Sequence, residues 1–469
     1  MCAVAEARIS ILQDLDPVHL LGIGGAGMSA IAKVMLARGM RVRGSDMKRT
    51  IDLAALEALG ARISIGHDPA NLRDAAAVIV SSAIRESNPE LRAARAADIP
   101  VLHRAQVLAL LMRDRRGVAV SGTHGKTTTT SMIALVLQRA GLDPSFLVGG
   151  HLNEQGTNAH HGEGAWLVAE ADESDGSFLW LAPEIAVVTN IEAEHMDHYA
   201  DESEVRETFL AFMGNVPAEG AVVACLDDPG VRAVAGRVSR PLITYGLDEG
   251  TWRGARELAD GGQVLAVTRD GTEVGSVHLN VPGAHNARNA LAAIAVADTV
   301  GVPFDATARA LAVFSGVERR FQVRGIAHGV RVVDDYAHHP TEVAALLEAA
   351  REQRPGRIVA VFQPHLYSRT AFFGRALGAA LAAADLVVVT DVYGAREEPQ
   401  PGITGKLVVD GVLEQQPSRR VAYLPRRADV PGYVSARARA GDLVLTIGAG
   451  DVTVLGEEIV RAIEQRGAR

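Results

Sequence analysis

The chain has 469 residues, 48% of them hydrophobic and 22% charged, with a formal net charge of −9 at pH 7. This length is too great for a single core and points to about three domains, while the balance of apolar and charged residues excludes a disordered chain. The negative charge excludes a global positive field that would gather nucleic acid, so any anionic ligand must meet local cations, amides or metal ions. Two cysteines, Cys2 and Cys225, are too few for a disulfide framework or a thiolate metal site. No stretch approaches the roughly 18 apolar residues of a membrane span, and the opening MCAVAEARISILQDLDPVHLLGIGG lacks the basic and apolar segments of a secretion signal. The expectation is a cytoplasmic protein without membrane insertion. No feature of the sequence specifies an oligomeric state.

The first block, residues 1–116, opens with VHLLGIGGAGMSAIAKVMLARG, an apolar run, a glycine turn and a helical pattern. MRVRGSD reads as a second strand, LAALEALG as a helix, and AAVIVSSA as a strand ending in Ser81 and Ser82. This βαβ rhythm predicts a Rossmann-like parallel sheet with its site at the carboxyl edge. Gly22, Gly24 and Gly27 satisfy G-x-G-x-x-G, with Gly25 between them and Asp46 19 residues beyond the last. Such glycines let the backbone approach a diphosphate at a helix amino terminus, and a following carboxylate can take ribose hydroxyls. Any sugar-linked diphosphate fits this cradle, a nicotinamide dinucleotide included, and tight helix-sheet packing alone would also explain the glycines. Ser81 and Ser82 fit either hydroxyl donors to the same ligand or a strand-end turn.

In the second block, residues 117–323, VAV at 118–120 predicts a short strand running into SGTHGKTTTT. The full phosphate-loop pattern G-x-x-x-x-G-K-[ST] requires glycine where Val120 stands, so the loop is shortened to Gly122-Thr123-His124-Gly125-Lys126-Thr127. The parts with physical tasks remain. Gly122 and Gly125 free backbone amides, Lys126 supplies a point charge for phosphates, the Thr127 hydroxyl can ligate Mg²⁺, and Thr128 adds a donor. A helix is expected from about Lys126 to Gly141. WLVAEADESD then places Glu170 at a strand end with Asp172, Glu173 and Asp175 beyond it, and IAVVTNIEAEHMDHY places His195 and Asp197 after another strand. These groups can hold one or two Mg²⁺ ions between phosphate oxygens, the alternative being a solvated acidic loop. TRDGTEVGSV predicts a hairpin and ARNALAAIAVADTVG a helix.

The third block, residues 324–469, begins after ERRFQVRG. There VRVVDDY, RIVAVFQ, DLVVVTDV and DLVLTIGAG alternate with alanine-rich helices, again a parallel, Rossmann-like pattern. Pro340 and Thr341 start a helix, which gathers Asp334, Asp335, Tyr336, His338 and His339 at a strand's carboxyl end. His365 and Arg369 occupy the equivalent edge of the next unit, where a planar guanidinium suits a substrate carboxylate. Helix-capping polar residues without a ligand are the plainer reading of either loop alone.

Taken together and in order, GIGGAGMS, GTHGKTTTTS, EADESD, TNIEAEHMD, PGAHNARNAL, DDYAHHPTE, FQPHLYSRT and a terminal GAGD resemble the Mur ligases of peptidoglycan synthesis. The resemblance spans nearly the whole chain, and the short phosphate loop is that family's form. It implies three α/β domains: an amino-terminal one for the UDP sugar, contacted through Gly22, Gly24, Gly25, Gly27, Asp46, Ser81 and Ser82, a central P-loop ATPase, and a carboxyl-terminal one for the amino acid. By position, Gly122 to Thr128 would hold ATP, and Thr127, Glu170 and His195 would ligate Mg²⁺. His285 and Asn289 would lie near the adenine, and Arg320 and Asp335 would link ATP to the third domain. Tyr336, His365 and Arg369 would meet the amino acid. Among family members the motifs agree best with the one whose substrates are UDP-N-acetylmuramate, L-alanine and ATP. In the implied reaction the lactyl carboxylate attacks the γ-phosphate, with Mg²⁺ and Lys126 screening the two anions, and the amine of L-alanine attacks the resulting acyl phosphate. Tyr336 or His338 would accept the amine proton, and domain closure would keep water from the acyl phosphate.

Two departures from the family pattern stand out. Sibling ligases carry a carbamylated lysine about fifteen residues after the metal histidine, where this chain has Leu210, so a second Mg²⁺ would be held without it. Leu366 stands where many relatives have arginine. The rival readings are a ligase that recycles a ready-made peptide onto the same UDP sugar, a folylpolyglutamate synthetase, a nicotinamide-dependent oxidoreductase and a non-catalytic nucleotide sensor. The phosphate loop speaks against the oxidoreductase. The presence of both Glu170 and His195 speaks against the sensor.

Overall fold

The computed structural model describes residues 12–467 except 197, 260 and 396; Cys2 falls outside them, and Cys225 is buried and free. The chain forms two compact units, one of residues 1–256, 265–278 and 287–314, the other of residues 257–264, 279–286 and 315–469. The fold is α/β with three sheets. The parallel interior of each arises where short, buried apolar runs alternate with helices that carry the chain back across the sheet.

The first sheet holds β1 (Val18–Leu21), β2 (Val42–Asp46), β3 (Arg62–Ile65), β4 (Ala77–Val80) and β5 (Val101–His103) in the order β3-β2-β1-β4-β5, all parallel. Its order reverses between β1 and β4, where such sheets open a crevice beyond their carboxyl ends.

The second sheet contains β6 (Arg116–Ser121), β7 (Ser145–Leu152), β8 (Thr157–His160), β9 (Trp166–Glu170), β10 (Ile185–Val188), β11 (Ala221–Cys225), β12 (Leu242–Gly246), β13 (Trp252–Ala259), β14 (Gly262–Arg269) and β15 (Thr272–Leu279). Their order is β15-β14-β13-β12-β11-β10-β6-β9-β7-β8. From β12 to β7 the strands run parallel, and β8 closes the edge antiparallel to β7. The expected hairpin is β14–β15, turning through Asp270 and Gly271, both at positive φ as tight hairpins require. One apolar core runs through the first and second sheets, from Leu20 and Ile31 to Ala119, Leu167 and Phe209.

The third sheet is β16 (Gln322–Ala327), β17 (Val330–Asp335), β18 (Arg357–Phe362), β19 (Leu386–Val389), β20 (Arg420–Tyr423) and β21 (Asp442–Ile447), ordered β16-β17-β21-β18-β19-β20. The four strands read from sequence form its parallel interior, the unread β20 continues the parallel run at one edge, and β16 pairs antiparallel with β17 at the other. ERRFQVRG therefore contains a strand of this sheet, and the sheet begins two residues before position 324. Both faces carry apolar cores, one under the helices Pro340–Glu352 and Tyr367–Leu381, the other under Thr453–Gly467. Among the described residues no helix is long and apolar enough to cross a membrane.

A buried carboxylate organises the carboxyl edge of the first sheet. Glu90 is fully buried at the start of helix Pro89–Ala96 and accepts hydrogen bonds from Ser45 Oγ (2.5 Å), Asn71 Nδ2 (2.6 Å) and the Asp68 amide (3.0 Å), with His19 Nε2 at 3.1 Å. Burial alone would raise its pKa, but the bonds from His19, Ser45 and Asn71 pull it down to about 2 from 4.5. A carboxylate whose folded pKa is depressed contributes its full stabilisation above pH about 4.5 and loses it as the pH falls towards 2, a swing of roughly 3 kcal/mol. Urea unfolding between pH 7 and pH 3 is expected to show about 2 kcal/mol of this loss, since the rest falls below pH 3, and Glu90→Gln to be less stable at pH 7 with a flatter acid slope; an identical slope in the variant would remove Glu90 as its source.

Candidate active site

The glycine turn after β1 is fixed by β2. The Gly22 and Ile23 amides donate to Ser45 O at 2.8 and 3.2 Å, and the Gly24 amide donates to Asp46 Oδ2 at 2.9 Å. Asp46 thus holds the turn with one oxygen, in addition to any ribose it meets. Gly25 caps helix Ala26–Ala37. Asn158 of β8 donates to Ala26 O (2.9 Å) and accepts from Lys33 Nζ (2.6 Å), tying that helix to the second sheet. Past β4, Ser81 O accepts the Ile84 amide in a turn, and the Ser82 side chain hydrogen-bonds Asp175. The strand-end reading describes Ser81; Ser82 reaches across to the acidic segment.

The phosphate loop sits on β6, flanked by β10 and β9, whose registers set Ser121 beside Val188 and Val120 beside Glu170. Gly122 has φ +133°, and a Cβ there would lie 2.1 Å from Thr189 Oγ1; Gly125 has φ +80°, and its Cβ would lie 2.8 Å from Asn289 Oδ1. Neither position admits a side chain. The loop is strapped to the end of β10. The Thr123 and His124 amides donate to Asn190 O and Oδ1 (3.3 and 2.7 Å), while Thr189 Oγ1 and Asn190 Nδ2 both donate to His124 O (2.6 and 3.0 Å). Thr123 Oγ1 accepts the Glu192 amide at 2.9 Å. With those two amides engaged, the loop's remaining donors are those at the start of helix Lys126–Arg139, which lack intrahelical partners and suit an anion. Thr127 and Thr128 lie in that first turn.

Lys126 folds back over its own loop. Its Nζ donates to Gly122 O (2.7 Å), Thr123 O (3.3 Å) and Glu173 Oε1 (2.8 Å). Burial alone would lower its pKa, but the charges of Glu173, Asp172 and Glu194 outweigh burial and raise it, so the ammonium stays protonated. Burial lifts Glu173 against the pull of Lys126 and His195. Glu173 Oε2 is buried without a hydrogen-bond partner, and His195 Nε2 stands 3.9 Å from Oε1. Glu170 ends β9 and accepts the Gly149 amide at 2.7 Å. Gly27, Lys126, Glu170 and Asp172 line one cavity of about 250 Å³. Asp197 lies outside the described residues. Asn289 is buried, accepts from Thr129 Oγ1 at 3.1 Å and packs on Gly125, so its Oδ1 braces the loop. His285 lies in the first turn of the same helix, Ala284–Val300, beside Gly283 at φ +94°.

In the other unit, strand ends of the third sheet form a cleft lined by Tyr336, His338, His365, Leu366, Arg369 and Tyr393. His339 caps helix Pro340–Glu352 in a capping box with Glu342. His338 Nδ1 is 3.0 Å from Tyr336 O and 3.3 Å from Glu342 Oε2. Tyr336 lies under the guanidinium groups of Arg319 and Arg320, at 4.9 and 5.4 Å from its ring centre. Asp335 is buried, with Oδ2 accepting the Phe321 amide (2.7 Å) and Oδ1 the Ala337 amide (2.8 Å). Burial lifts its pKa to about 6 against the pull of Arg320 and those amides. Its oxygens hold the positive-φ turn through Arg319 and Phe321, and Arg320 pairs with Glu342 at 3.6 Å. Arg369 Nη1 meets His365 Nδ1 at 3.3 Å, and the His365 ring stacks on Tyr393, centroids 5.8 Å apart.

Three participants escaped the sequence reading in these roles: Asn190, Glu173 and Tyr393. The signal for Asn190 is a polar pair, Thr189-Asn190, ending a strand next to the loop strand. Asn190→Ala removes the two side-chain hydrogen bonds to His124 and is expected to destabilise the protein by about 2 kcal/mol, at roughly 1 kcal/mol each, in urea unfolding; a change below about 0.5 kcal/mol would show that the loop holds itself.

Comparison with known proteins agrees with this geometry. Residues 17–116 match the Mur ligase family catalytic domain, 120–297 the Mur ligase middle domain, and 319–450 the Mur ligase glutamate ligase domain. UDP-N-acetylmuramate–L-alanine ligase of Pelotomaculum thermopropionicum is 48% identical over 454 residues, covering 96% of this chain and 98% of its own. Among solved structures, UDP-N-acetylmuramate-alanine ligase from Thermotoga maritima superposes with a TM-score of 0.81 at 30% identity, covering 97% of this chain and all of its own. A murein peptide ligase from Psychrobacter arcticus gives 0.71 at 25% identity, covering 95% of this chain and 98% of its own. The three motif-bearing sheets, the short strapped phosphate loop and these full-length similarities lead to one conclusion: the chain belongs to the Mur ligase family.

Proposed function

We propose that this Mur ligase uses ATP to join L-alanine to the lactyl carboxylate of UDP-N-acetylmuramate, a cytoplasmic step that begins the peptide of peptidoglycan precursors. The observation that carries the reading is the cavity lined jointly by Gly27 of the glycine turn and by Lys126 and Glu170 of the phosphate-loop region. A carboxylate carried on a UDP sugar and the terminal phosphate of ATP meet in such a space.

The acceptor carboxylate attacks the γ-phosphate, ADP leaves, and an acyl phosphate forms. Two anions must approach, and the chain counters their repulsion with the Lys126 ammonium and the amides opening helix Lys126–Arg139. For Lys126 to reach phosphate it exchanges its bond to Glu173 for one to the nucleotide. The donor set fits a hard divalent cation: a hydroxyl, a carboxylate and an imidazole, with the unpartnered Glu173 Oε2 beside His195. Thr127, Glu170 and His195 would hold Mg²⁺, one ion or two, and when bound it supplies positive charge against phosphate oxygens. In the third-sheet cleft Arg369 takes the carboxylate of L-alanine with its planar fork. His338, oriented through Nδ1 by Tyr336 O and Glu342, accepts the amine proton as the nitrogen attacks the acyl carbon and phosphate departs.

Phosphate release from ATP and Mg²⁺ in the presence of UDP-N-acetylmuramate tests the reading against a panel of L-alanine, glycine, L-serine and the tripeptide used in recycling. Release is expected to need both the UDP sugar and L-alanine. Release with the tripeptide alone would make it a recycling ligase. Lys126→Ala is expected to lower turnover by at least ~10³-fold, while UDP-sugar binding by calorimetry stays within about threefold, well inside one tenfold step of 1.4 kcal/mol. A variant with the parental rate would end the role given to Lys126. Arg369→Ala is expected to raise the KM for L-alanine roughly 10- to 100-fold, the worth of a charged hydrogen bond of about 1.5–3 kcal/mol, with the KM for ATP unmoved; an unchanged alanine KM would relocate the carboxylate site.

A further inference from the structure

Arg104 opens helix Arg104–Met112 directly after β5 and lines the same cavity as Lys126 and Glu170. It carries no recognisable motif. Its Nη1 lies against the first turn of helix Ala26–Ala37, only 2.9 Å from where a Cβ on Gly27 would stand, so a side chain there would displace it. Its Nη2 pairs with Asp172, two residues beyond Glu170. Burial would raise the Asp172 pKa, yet Arg104 and Lys126 hold it well below the usual carboxylate range. The guanidinium is therefore clamped at one end to the acidic segment, and its other end faces the space between the glycine turn and the phosphate loop. The remaining walls include Ile31, Leu108 and Leu147, which keep water from screening the charge.

We propose that Arg104 binds the lactyl carboxylate of the UDP sugar and aims it at the nucleotide. The assignment rests on the function proposed above. Three observations favour an oxyanion as its partner. A guanidinium offers five donors in a fixed fork, and Asp172 engages Nη2 alone. The anchor through Asp172 restricts its rotamers before any ligand arrives, so little ordering remains to be done on binding. Its position, beside the turn that receives a diphosphate and in one cavity with Lys126, is that of a group at the reacting end of the sugar. The diphosphate itself shares the chemistry of an oxyanion, and the test separates the two.

The test compares wild type, Arg104→Gln and Arg104→Lys in phosphate release, together with competition by UDP, which has the diphosphate but no lactyl group. Arg104→Gln is expected to raise the KM for UDP-N-acetylmuramate at least tenfold, with the KM for ATP and the inhibition constant for UDP within about twofold of wild type, and Arg104→Lys to fall between the two. A thermal unfolding profile for each variant separates misfolding, which would move all three constants together. An unchanged KM for the UDP sugar overturns the assignment, as does a parallel loss of UDP inhibition, which would give the arginine to the diphosphate. A wild type whose phosphate release ignores the UDP sugar would sink the functional reading itself, whereas a responsive wild type with an indifferent Arg104→Gln sinks only the role of Arg104.

Discussion

A buried ammonium surrounded by carboxylates is the interaction around which the central site is built. Lys126 is held by two loop carbonyls and Glu173, with Asp172 and Glu194 adding their charges. A lysine in that position without its acids would pay a large desolvation cost and lose its proton. The acids reach it because β9, β6 and β10 are adjacent and in register, so the segments that follow them, EADESD, the phosphate loop and TNIEAE, leave the sheet side by side. A parallel sheet is the arrangement that brings three such loops to one edge from points far apart in sequence. The ion pair holds the lysine charged and ready while keeping it from approaching any other anion.

The same economy of charge recurs across the chain. The net charge is −9 and only four lysines are present, so anions are not drawn in by a broad positive field. The cations that line the two cavities instead have fixed partners: Lys126 with Glu173, Arg104 with Asp172, Arg369 with His365. Each cation is oriented before a ligand comes. This favours specificity over attraction, because a preordered group loses little freedom on binding and rewards only the anion that fits its geometry.

The alternation of buried strands and helices was legible because four or more consecutive apolar residues, bounded by glycine or polar turns, leave little choice of structure. Gly122, Gly125 and Lys126 were legible because their tasks demand those residue types at that spacing. Edge strands were not. β16 and β20 bury one face or less, and their sequences QVRGIA and RVAY carry no continuous apolar run. The braces were hidden too. Asn190 reaches a loop 66 residues earlier and Asn289 a threonine 160 residues earlier, and such contacts leave no periodic trace. For the same reason the internal bonds of Asn289 and Asp335, one to Thr129 beside the loop and the other to the turn at Phe321, were not legible in the sequence. A polar residue at a strand end announces that something is bonded there, and whether the partner is a ligand or backbone depends on burial that only the fold decides.

The third-sheet cleft has a strained and pinned wall. Leu366 has φ +67°, a conformation that costs an L-residue on the order of 1–2 kcal/mol. It is imposed from outside: the Leu366 amide donates to Tyr393 O at 3.0 Å, and the Tyr393 amide donates to Pro364 O at 2.8 Å. Gly450 packs against the Tyr393 ring, where a Cβ would meet it at 2.8 Å, and Gln363 bonds Asp451 at 2.7 Å. The wall of the cleft is thus tied to three neighbouring strand ends. Arg369 carries the guanidinium of the cleft, steadied by His365, which itself stacks on Tyr393. If L-alanine occupies this cleft, size selection against a larger side chain draws on only ~1–3 kcal/mol per methylene in a compliant pocket. A wall whose backbone is already strained and pinned from both sides yields less than a compliant one, which places each added methylene towards the upper end of that range.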